Sequence, residues 1–337
     1  MKIRYVSIKP FYGKVFLKNK LFKINNGHNI FIALHKKLKK YGVEVYTHDI
    51  KKHKKADFYV YCDMPYPWNI KDWFNLITHL NNNLLFCFES PLINPFNHFK
   101  FLHTFFKRVY TWNDRLVDNK KRFKMYIPQL NMDFKIQKKK YSQKNFLVVV
   151  NKKKTAPLLF KIISPFKKDL YEERLRALNY FDREIPSDFS LYGKGWDKSG
   201  VFKLKERLFG FRRYVTYRGE IKGNNKLKVI SNFKFCLSFE NSAADGYITE
   251  KIFDCFKAGC VPVYYGAPNI EKYIPKEAFI DFKDFRSYKE LFKFLKSLDE
   301  KKYDQYISFA REFLKSEKTQ RKWFEKGFIK LFLKAVS

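Results

Sequence analysis

The stretch from Phe233 to Gly266 constrains this chain most. It reads FKFCLSFENSAADGYITEKIFDCFKAGCVPVYYG. Phe233 to Phe239 is apolar and aromatic apart from Lys234 and Ser238. That run is long enough for a strand buried on both faces, as in a parallel sheet. Glu240, Asn241 and Ser242 end it with polar side chains, and Gly246 frees the backbone at the turn. Glu250 to Ala258 reads as a helix with Ile252, Phe253 and Phe256 inward. Gly259 stops that helix and Val261 to Tyr265 opens the next strand. The unit is strand, loop, helix, strand. Its loop falls beyond a strand's carboxyl end, where open α/β sheets bind ligands.

The loop carries chemistry suited to a nucleotide-sugar. A nucleotide diphosphate leaving group gains negative charge as its glycosidic bond breaks. Lys251, in a helix's first turn, can meet that charge with help from the helix N-terminus. Glu250 can accept hydrogen bonds from ribose hydroxyls. Tyr247 offers a ring and a hydroxyl. Spacing alone supports equally a plainer reading, in which Glu250 and Lys251 are the solvated first turn of a helix.

Length and charge narrow the classes. A chain of 337 residues exceeds one ordinary domain, so two are expected. The formal net charge of +36 implies affinity for polyanions: nucleic acid, an anionic membrane or phosphorylated substrates. The lysines are dispersed, however, and no zinc-finger, RNP or basic-zipper pattern occurs, so nucleic acid is not the expected partner. Five cysteines without C-x-x-C spacing read as buried free thiols in a reducing compartment. No histidine has ligand spacing, so no metal site is read. The N-terminal residues lack the apolar core of a signal peptide, and no 18-residue apolar run occurs.

Along the chain, Lys2 to Ile8, Val43 to Tyr46 and Asp57 to Cys62 read as strands. A helix over Asn29 to Tyr41 joins the first two. Asp72 to Leu80 reads as a short helix. Leu84 to Phe88 is a buried strand that ends at Glu89-Ser90-Pro91. Pro91 holds Ser90 extended, so the chain leaves the sheet sharply and places Glu89 at a strand's carboxyl edge. An ordinary polar turn residue is the bland alternative. Lys135 to Lys144 is polar and basic and reads as an interdomain linker. Phe146 to Val150 opens the second domain. Leu170 to Phe181 is a helix with Leu170, Leu175, Leu178 and Phe181 inward, carrying Arg174 and Arg176. SLYGKGW follows at Ser190 to Trp196. The basic, aromatic segment Val201 to Gly219, with Arg207, Arg212, Arg213 and Arg218, reads as a variable loop or a solvated face.

The tail from Thr319 to Ser337 is helical in pattern, with Lys322, Lys326, Lys330 and Lys334 in one stripe at i, i+4 spacing. A basic amphipathic helix can lie on an anionic membrane or pack back on the first domain. Both stay open from the sequence.

The string FENS…GYITEKIFDCFKAGCVPVYYGAPNIEKYIP…AFIDFKDF resembles the donor-binding signature of the α-1,3/1,4-fucosyltransferases, glycosyltransferase family 10. The Glu89-Ser90-Pro91 turn and the Arg174-x-Arg176 pair are similar to that family's motifs. The resemblance implies a GT-B fold: α/β, with two Rossmann-like domains whose parallel sheets face across a cleft. With the linker and the tail pattern as bounds, the expected domains are 1–140, 141–310 and a basic helical tail at 311–337, and the resemblance makes the first the acceptor domain and the second the donor domain.

The implied reaction is inverting transfer of L-fucose from GDP-fucose to the 3-hydroxyl, or the 4-hydroxyl, of an N-acetylglucosamine or glucose unit. A one-step inversion needs a base on the acceptor side, and Glu89 is the candidate. Arg174 and Lys251 would stabilise departing GDP. Asn241, Tyr247 and Glu250 would position ribose, fucose or phosphate. With no D-x-D sequence, no obligatory metal or cofactor is expected. Partners would be GDP-fucose, an oligosaccharide or lipopolysaccharide-type acceptor, and an anionic membrane touched peripherally. Golgi members of that family carry an N-terminal membrane anchor; the N-terminal residues here lack one, so a bacterial-type cytoplasmic enzyme is expected, with the basic tail allowing peripheral contact at the inner face of the membrane. A GT-B transferase using another nucleotide-sugar and a basic nucleic-acid-binding protein are the alternatives.

Overall fold

A computed structural model describes residues 3–10, 17–23, 30–50, 56–130, 139–165, 169–197, 212–223 and 225–337. The chain divides into two compact units. The first comprises Met1–Met132, Ile162–Phe166 and Glu317–Ser337, the second Asp133–Lys161 and Lys167–Ser316.

Unit 1 opens with β1 (Arg4–Lys9), α1 (Ile30–Leu38), β2 (Val43–Thr47), β3 (Phe58–Cys62), α2 (Ile70–Thr78), β4 (Asn83–Cys87), β5 (Arg108–Thr111) and β6 (Arg122–Lys124). All pairings are parallel, in the order β2-β1-β3-β4-β5-β6. The order reverses at β1 and β3, so the chain winds outward from a switch point between them. β4 lies wholly buried, as its apolar run requires. The helix expected over Asn29 to Tyr41 is Ile30–Leu38 with a 3-10 turn at Lys39–Tyr41, which Gly42 ends at φ +69°. Asn29 itself lies outside the described residues.

Unit 2 continues with β7 (Asn145–Val150), α3 (Leu158–Ile163, straddling the division), α4 (Leu170–Glu184), β8 (Phe189–Tyr192), α5 (Lys226–Ile230), β9 (Phe233–Phe239), α6 (Glu250–Ala258), β10 (Val261–Tyr265), β11 (Ile280–Asp281), α7 (Tyr288–Ser297) and α8 (Glu300–Lys315). Its sheet is also all parallel, ordered β11-β10-β9-β7-β8. One face packs under α4, α7 and α8, the other under α5 and α6. β9, α6 and β10 occupy the residues that their apolar periods indicate. In α4 the inward face is Leu170, Tyr171, Arg174, Ala177, Leu178 and Phe181, and Leu175 is only half-buried. Residues 135–138 of the expected linker and 201–211 of the basic segment lie outside the described residues. Of the described part of that segment, Arg212 pairs with buried Asp182 at 3.3 Å.

The tail forms two helices, α9 (Glu317–Trp323) and α10 (Glu325–Ala335), parted at extended Phe324. They belong to unit 1. Phe328 and Phe332 bury against Phe86, with ring centroids at 6.1 and 5.6 Å. Arg4 donates to the Val336 carbonyl at 2.8 Å and Arg108 to that of Lys334 at 3.2 Å. Lys322, Lys326, Lys330 and Lys334 stay exposed. The tail's apolar face is thus part of the first core, the packing alternative. Among the described residues, no helix is long and apolar enough to cross a membrane.

Phe332→Ala should cost about 3–5 kcal/mol through the cavity it leaves beside Phe86 and Phe328. Urea denaturation of the variant would measure it. A loss below about 1 kcal/mol would show that the tail is not part of the core.

Candidate active site

In unit 2 the site grows from the carboxyl end of β9. Its last peptide turns the carbonyl of Phe239 toward α4, where the Arg174 guanidinium donates to it twice, at 3.0 and 2.8 Å. The same guanidinium donates to Asn241 Oδ1 at 2.8 Å. The Asn241 carbonyl in turn accepts from Leu170 N at 3.1 Å, which docks the start of α4 onto the strand end. Asp169 caps α4 by accepting from Tyr171 N. Arg174 is only 7% exposed, and its bonds go to neutral acceptors. Burial presses its pKa down, yet a guanidinium stays charged at any physiological pH. Asn241 also donates to the Tyr247 hydroxyl at 3.5 Å, and Tyr247 is buried.

One residue earlier stands Glu240, fully buried. Its carboxylate accepts from Thr249 N at 2.8 Å, from Thr249 Oγ1 at 2.8 and 2.9 Å, and from Lys251 Nζ at 3.0 Å. Thr249 therefore makes no side-chain cap for α6; its hydroxyl serves Glu240 instead. Lys251 sits in the first turn as expected, held by Glu240 and by Thr249 Oγ1 at 3.0 Å. Glu250 is partly exposed, 3.8 Å from Lys251. A Cβ on Gly266 would lie 2.3 Å from the Tyr264 hydroxyl and 2.6 Å from Glu240 Cγ, so only glycine lets β10's exit pass these two side chains.

The structure thus gathers Arg174, Asn241, Tyr247, Glu250 and Lys251 at one strand end. Arg176 lies outside the cluster, paired with Glu173 at 3.1 Å. Glu240 and Thr249 are not among the residues that the sequence singles out; their only signal there is adjacency to Asn241 and to Glu250-Lys251. Lys153, on the loop after β7, is a further buried cation at the same end of the sheet. Nearby, Gly193 at φ +137° would drive a Cβ to 2.0 Å from the Asn151 carbonyl, so the β8 turn closes onto that loop only with glycine.

Glu89 belongs to unit 1, at the end of β4. It is half-buried, and its backbone N–H donates to Asp63 Oδ1 at 2.9 Å. Asp63 ends β3 at φ +68°, a left-handed conformation that aspartate tolerates better than most residues. The same Oδ1 accepts from Phe88 N at 2.7 Å and Asn97 Nδ2 at 2.5 Å. Asp63 therefore fixes the backbone on which Glu89 stands. Burial, then the charge of Glu89, pushes its pKa up to about 7. Tyr66 feels the same pair: burial, then Glu89 and Asp63, pushes its hydroxyl up to about 12.

The five described cysteines are free and buried. Among the described residues, no group of three His, Cys, Asp or Glu side chains is placed to hold a metal.

Two parallel α/β sheets in two units are the framework of a GT-B glycosyltransferase. Residues 152–332, more than half of the chain, match the family model for Glycosyltransferase family 10 (fucosyltransferase) C-term. The chain belongs to glycosyltransferase family 10. It is 44% identical over 97 residues to 4-galactosyl-N-acetylglucosaminide 3-alpha-L-fucosyltransferase 9 of Mus musculus. That match covers 28% of this chain and 27% of the relative, so it spans about a quarter of the mouse protein's length. It is 34% identical over 177 residues to GDP-fucose protein O-fucosyltransferase 3 of Xenopus tropicalis, covering 48% of this chain and 37% of that one. The fold matches the crystal structure of an alpha1,3-fucosyltransferase with GDP at a TM-score of 0.59 and 14% identity, covering 99% of this chain and 90% of that one.

Asp63 makes a pH prediction. The folded chain holds its proton to higher pH than an unfolded aspartate does. Its contribution to stability is full below the ordinary carboxylate range and is lost as pH rises to about 7. Asp63→Asn should therefore flatten the decline in stability from about pH 4 to about 7 in urea titrations. An unchanged pH profile would show that Asp63 titrates as an ordinary aspartate.

Proposed function

We propose that this protein transfers L-fucose from GDP-fucose, with inversion, to the 3-hydroxyl or the 4-hydroxyl of an N-acetylglucosamine or glucose unit in a glycan. One observation carries the reading. A buried, permanently charged guanidinium, Arg174, stands at a strand's carboxyl end with only neutral groups as its hydrogen-bond acceptors. The charges of Glu240 and Glu250 reach it, but neither accepts a hydrogen bond from it, and the diphosphate of a nucleotide-sugar is an anion that could. Family membership supports fucose as the sugar.

In this mechanism the acceptor hydroxyl attacks fucose C1 from the face opposite GDP. Its proton passes to the Glu89 carboxylate as the new C–O bond forms. The bond from C1 to the diphosphate oxygen breaks, and its electron pair leaves with GDP. Arg174 and Lys251 meet that charge; Asn241, Tyr247 and Glu250 hold the nucleotide and sugar. The acceptor is an oligosaccharide or a lipopolysaccharide-type glycan. A peripheral contact with an anionic membrane, at its cytoplasmic face, belongs to the same proposal. The Xenopus relative's name speaks of a protein acceptor, so an acceptor screen needs peptides beside glycans.

Calorimetry should show GDP and GDP-fucose binding in preference to UDP- and dTDP-sugars; preference for a UDP-sugar would favour a different GT-B transferase. Lys251→Ala and Arg174→Ala should each weaken GDP binding and lower turnover, by on the order of 3 kcal/mol in the transition state. Glu89→Gln should lower turnover about 10²–10⁴-fold while GDP still binds, since the residues proposed to hold the nucleotide belong to the other unit. Near-normal transfer by folded Glu89→Gln would remove it as the base, and Asp63 or Asp114 would be tested next.

Chelation is the separate test of the metal-free reading. Activity should survive EDTA, because arginine and lysine supply the charge compensation. Loss on chelation, with recovery on adding manganese, would overturn that part.

A further inference from the structure

Helix α2 of unit 1 has two unlike sides. Its inner side is Leu76 and Asp72, both buried, with Asp72 ion-paired to Lys9. Trp73 secures the approach to the helix by donating to the Tyr66 carbonyl at 3.0 Å. The outer side is apolar and open to solvent: Ile70 is 80% exposed, Phe74 68% and Ile77 54%. Their i, i+4, i+7 spacing makes one stripe along the helix. Exposed Trp68 and Leu80 extend it at the two ends. Trp68 stacks on Tyr66 at 4.6 Å, and rings continue through Phe96 and Phe99 to exposed Phe101. Scattered exposed apolar side chains need no explanation, but a continuous stripe does.

Along the stretch of chain that carries the stripe and its rings, the exposed charges have one sign. Between Pro65 and Lys107 the exposed charged residues are Lys71, Lys100 and Lys107. The two acidic residues of that stretch, Asp72 and Glu89, are buried and half-buried. A second copy would bring these lysines against their own counterparts in a two-fold interface, which like charges oppose. An anionic lipid surface satisfies both features, taking the aromatic and aliphatic side chains into the headgroup boundary and the lysines against its charge. The C-terminal helix does not supply this contact, because its apolar residues Phe328, Ile329 and Phe332 are buried in the unit 1 core.

We propose that the outer face of α2, from Trp68 to Leu80, seats this protein on an anionic membrane. The proposal gives a place to the membrane contact in the functional reading. Its test uses neither donor nor acceptor, so the two can fail separately.

The test is co-sedimentation of the full chain with vesicles of phosphatidylethanolamine and phosphatidylglycerol, and of phosphatidylcholine alone, at near-physiological salt. Ile70→Gln, Phe74→Gln and Ile77→Gln together change exposed side chains and leave the net charge unaltered. The triple variant should bind the anionic vesicles at least about tenfold more weakly, while Lys326→Gln with Lys330→Gln changes binding far less. Circular dichroism and a urea midpoint like the wild type's would show the triple variant folded. Equal binding by wild type and triple variant would overturn the proposal in favour of net charge alone. Failure of the wild type to bind would overturn it as well. A dimer that the triple variant dissociates, with no change at vesicles, would reassign the stripe to self-association.

Discussion

A carboxylate without access to water organises the cluster at the carboxyl end of β9. Glu240 sits at the end of β9, where an unpaired charge would cost several kcal/mol. Its charge is instead met by an N–H, a hydroxyl and an ammonium, all from the two ends of the short segment Thr249–Lys251. Those bonds fix where α6 begins. They also fix where Lys251 points, since the ammonium is held by Glu240 and Thr249 together. Gly266 is bound by the same constraint, as any side chain there would strike the glutamate's stem. Strand end and helix start therefore depend on one buried group, which with Tyr264 also constrains the exit of the next strand.

The central unit was legible in the sequence because its signals are local. β9 is apolar along nearly its whole length, α6 has a clear helical stripe, and glycine marks its end, so the boundaries follow. Other elements lacked such signals. β6, three half-buried residues at a sheet edge, has no alternation to read. α3 shows Leu158, Leu159 and Ile162 to solvent, so its apolar residues do not mark a face turned inward. The carboxylates were harder still. Glu240 and Asp63 look like any polar residue at a strand end, and only their burial distinguishes them. Burial is a property of the tertiary structure, which no spacing encodes. The tail's pattern was clear but its partner was not, because an amphipathic helix presents the same sequence to a core and to a membrane.

The net charge of +36 takes on meaning once its placement is known. The tail lysines stand on the outer side of helices whose apolar side is spent on Phe86 and its neighbours. They add to the general field of the molecule, and the apolar residues beside them, Leu331 and Leu333, are partly buried against the unit 1 core. The lysines near α2 differ only in their surroundings, since exposed rings and aliphatic chains lie among them. Charge alone draws a protein toward an anionic surface; charge beside exposed apolar area can hold it there.

The two units use one device with opposite electrostatic results. In each, a buried acid at a strand end accepts backbone N–H groups from a later turn: Glu240 from Thr249, Asp63 from Phe88 and Glu89. Glu240 has a cation as its third partner. Asp63 forms no ion pair among the described residues, and the charge next to it is a second carboxylate. Burial and like charge thus favour the protonated acid in unit 1, whereas in unit 2 an opposite charge holds the ammonium in place. The first arrangement suits a place where a proton is taken up and released. The second fixes the position of an ammonium. In the proposed mechanism, acceptor deprotonation and diphosphate departure make separate demands of the two units.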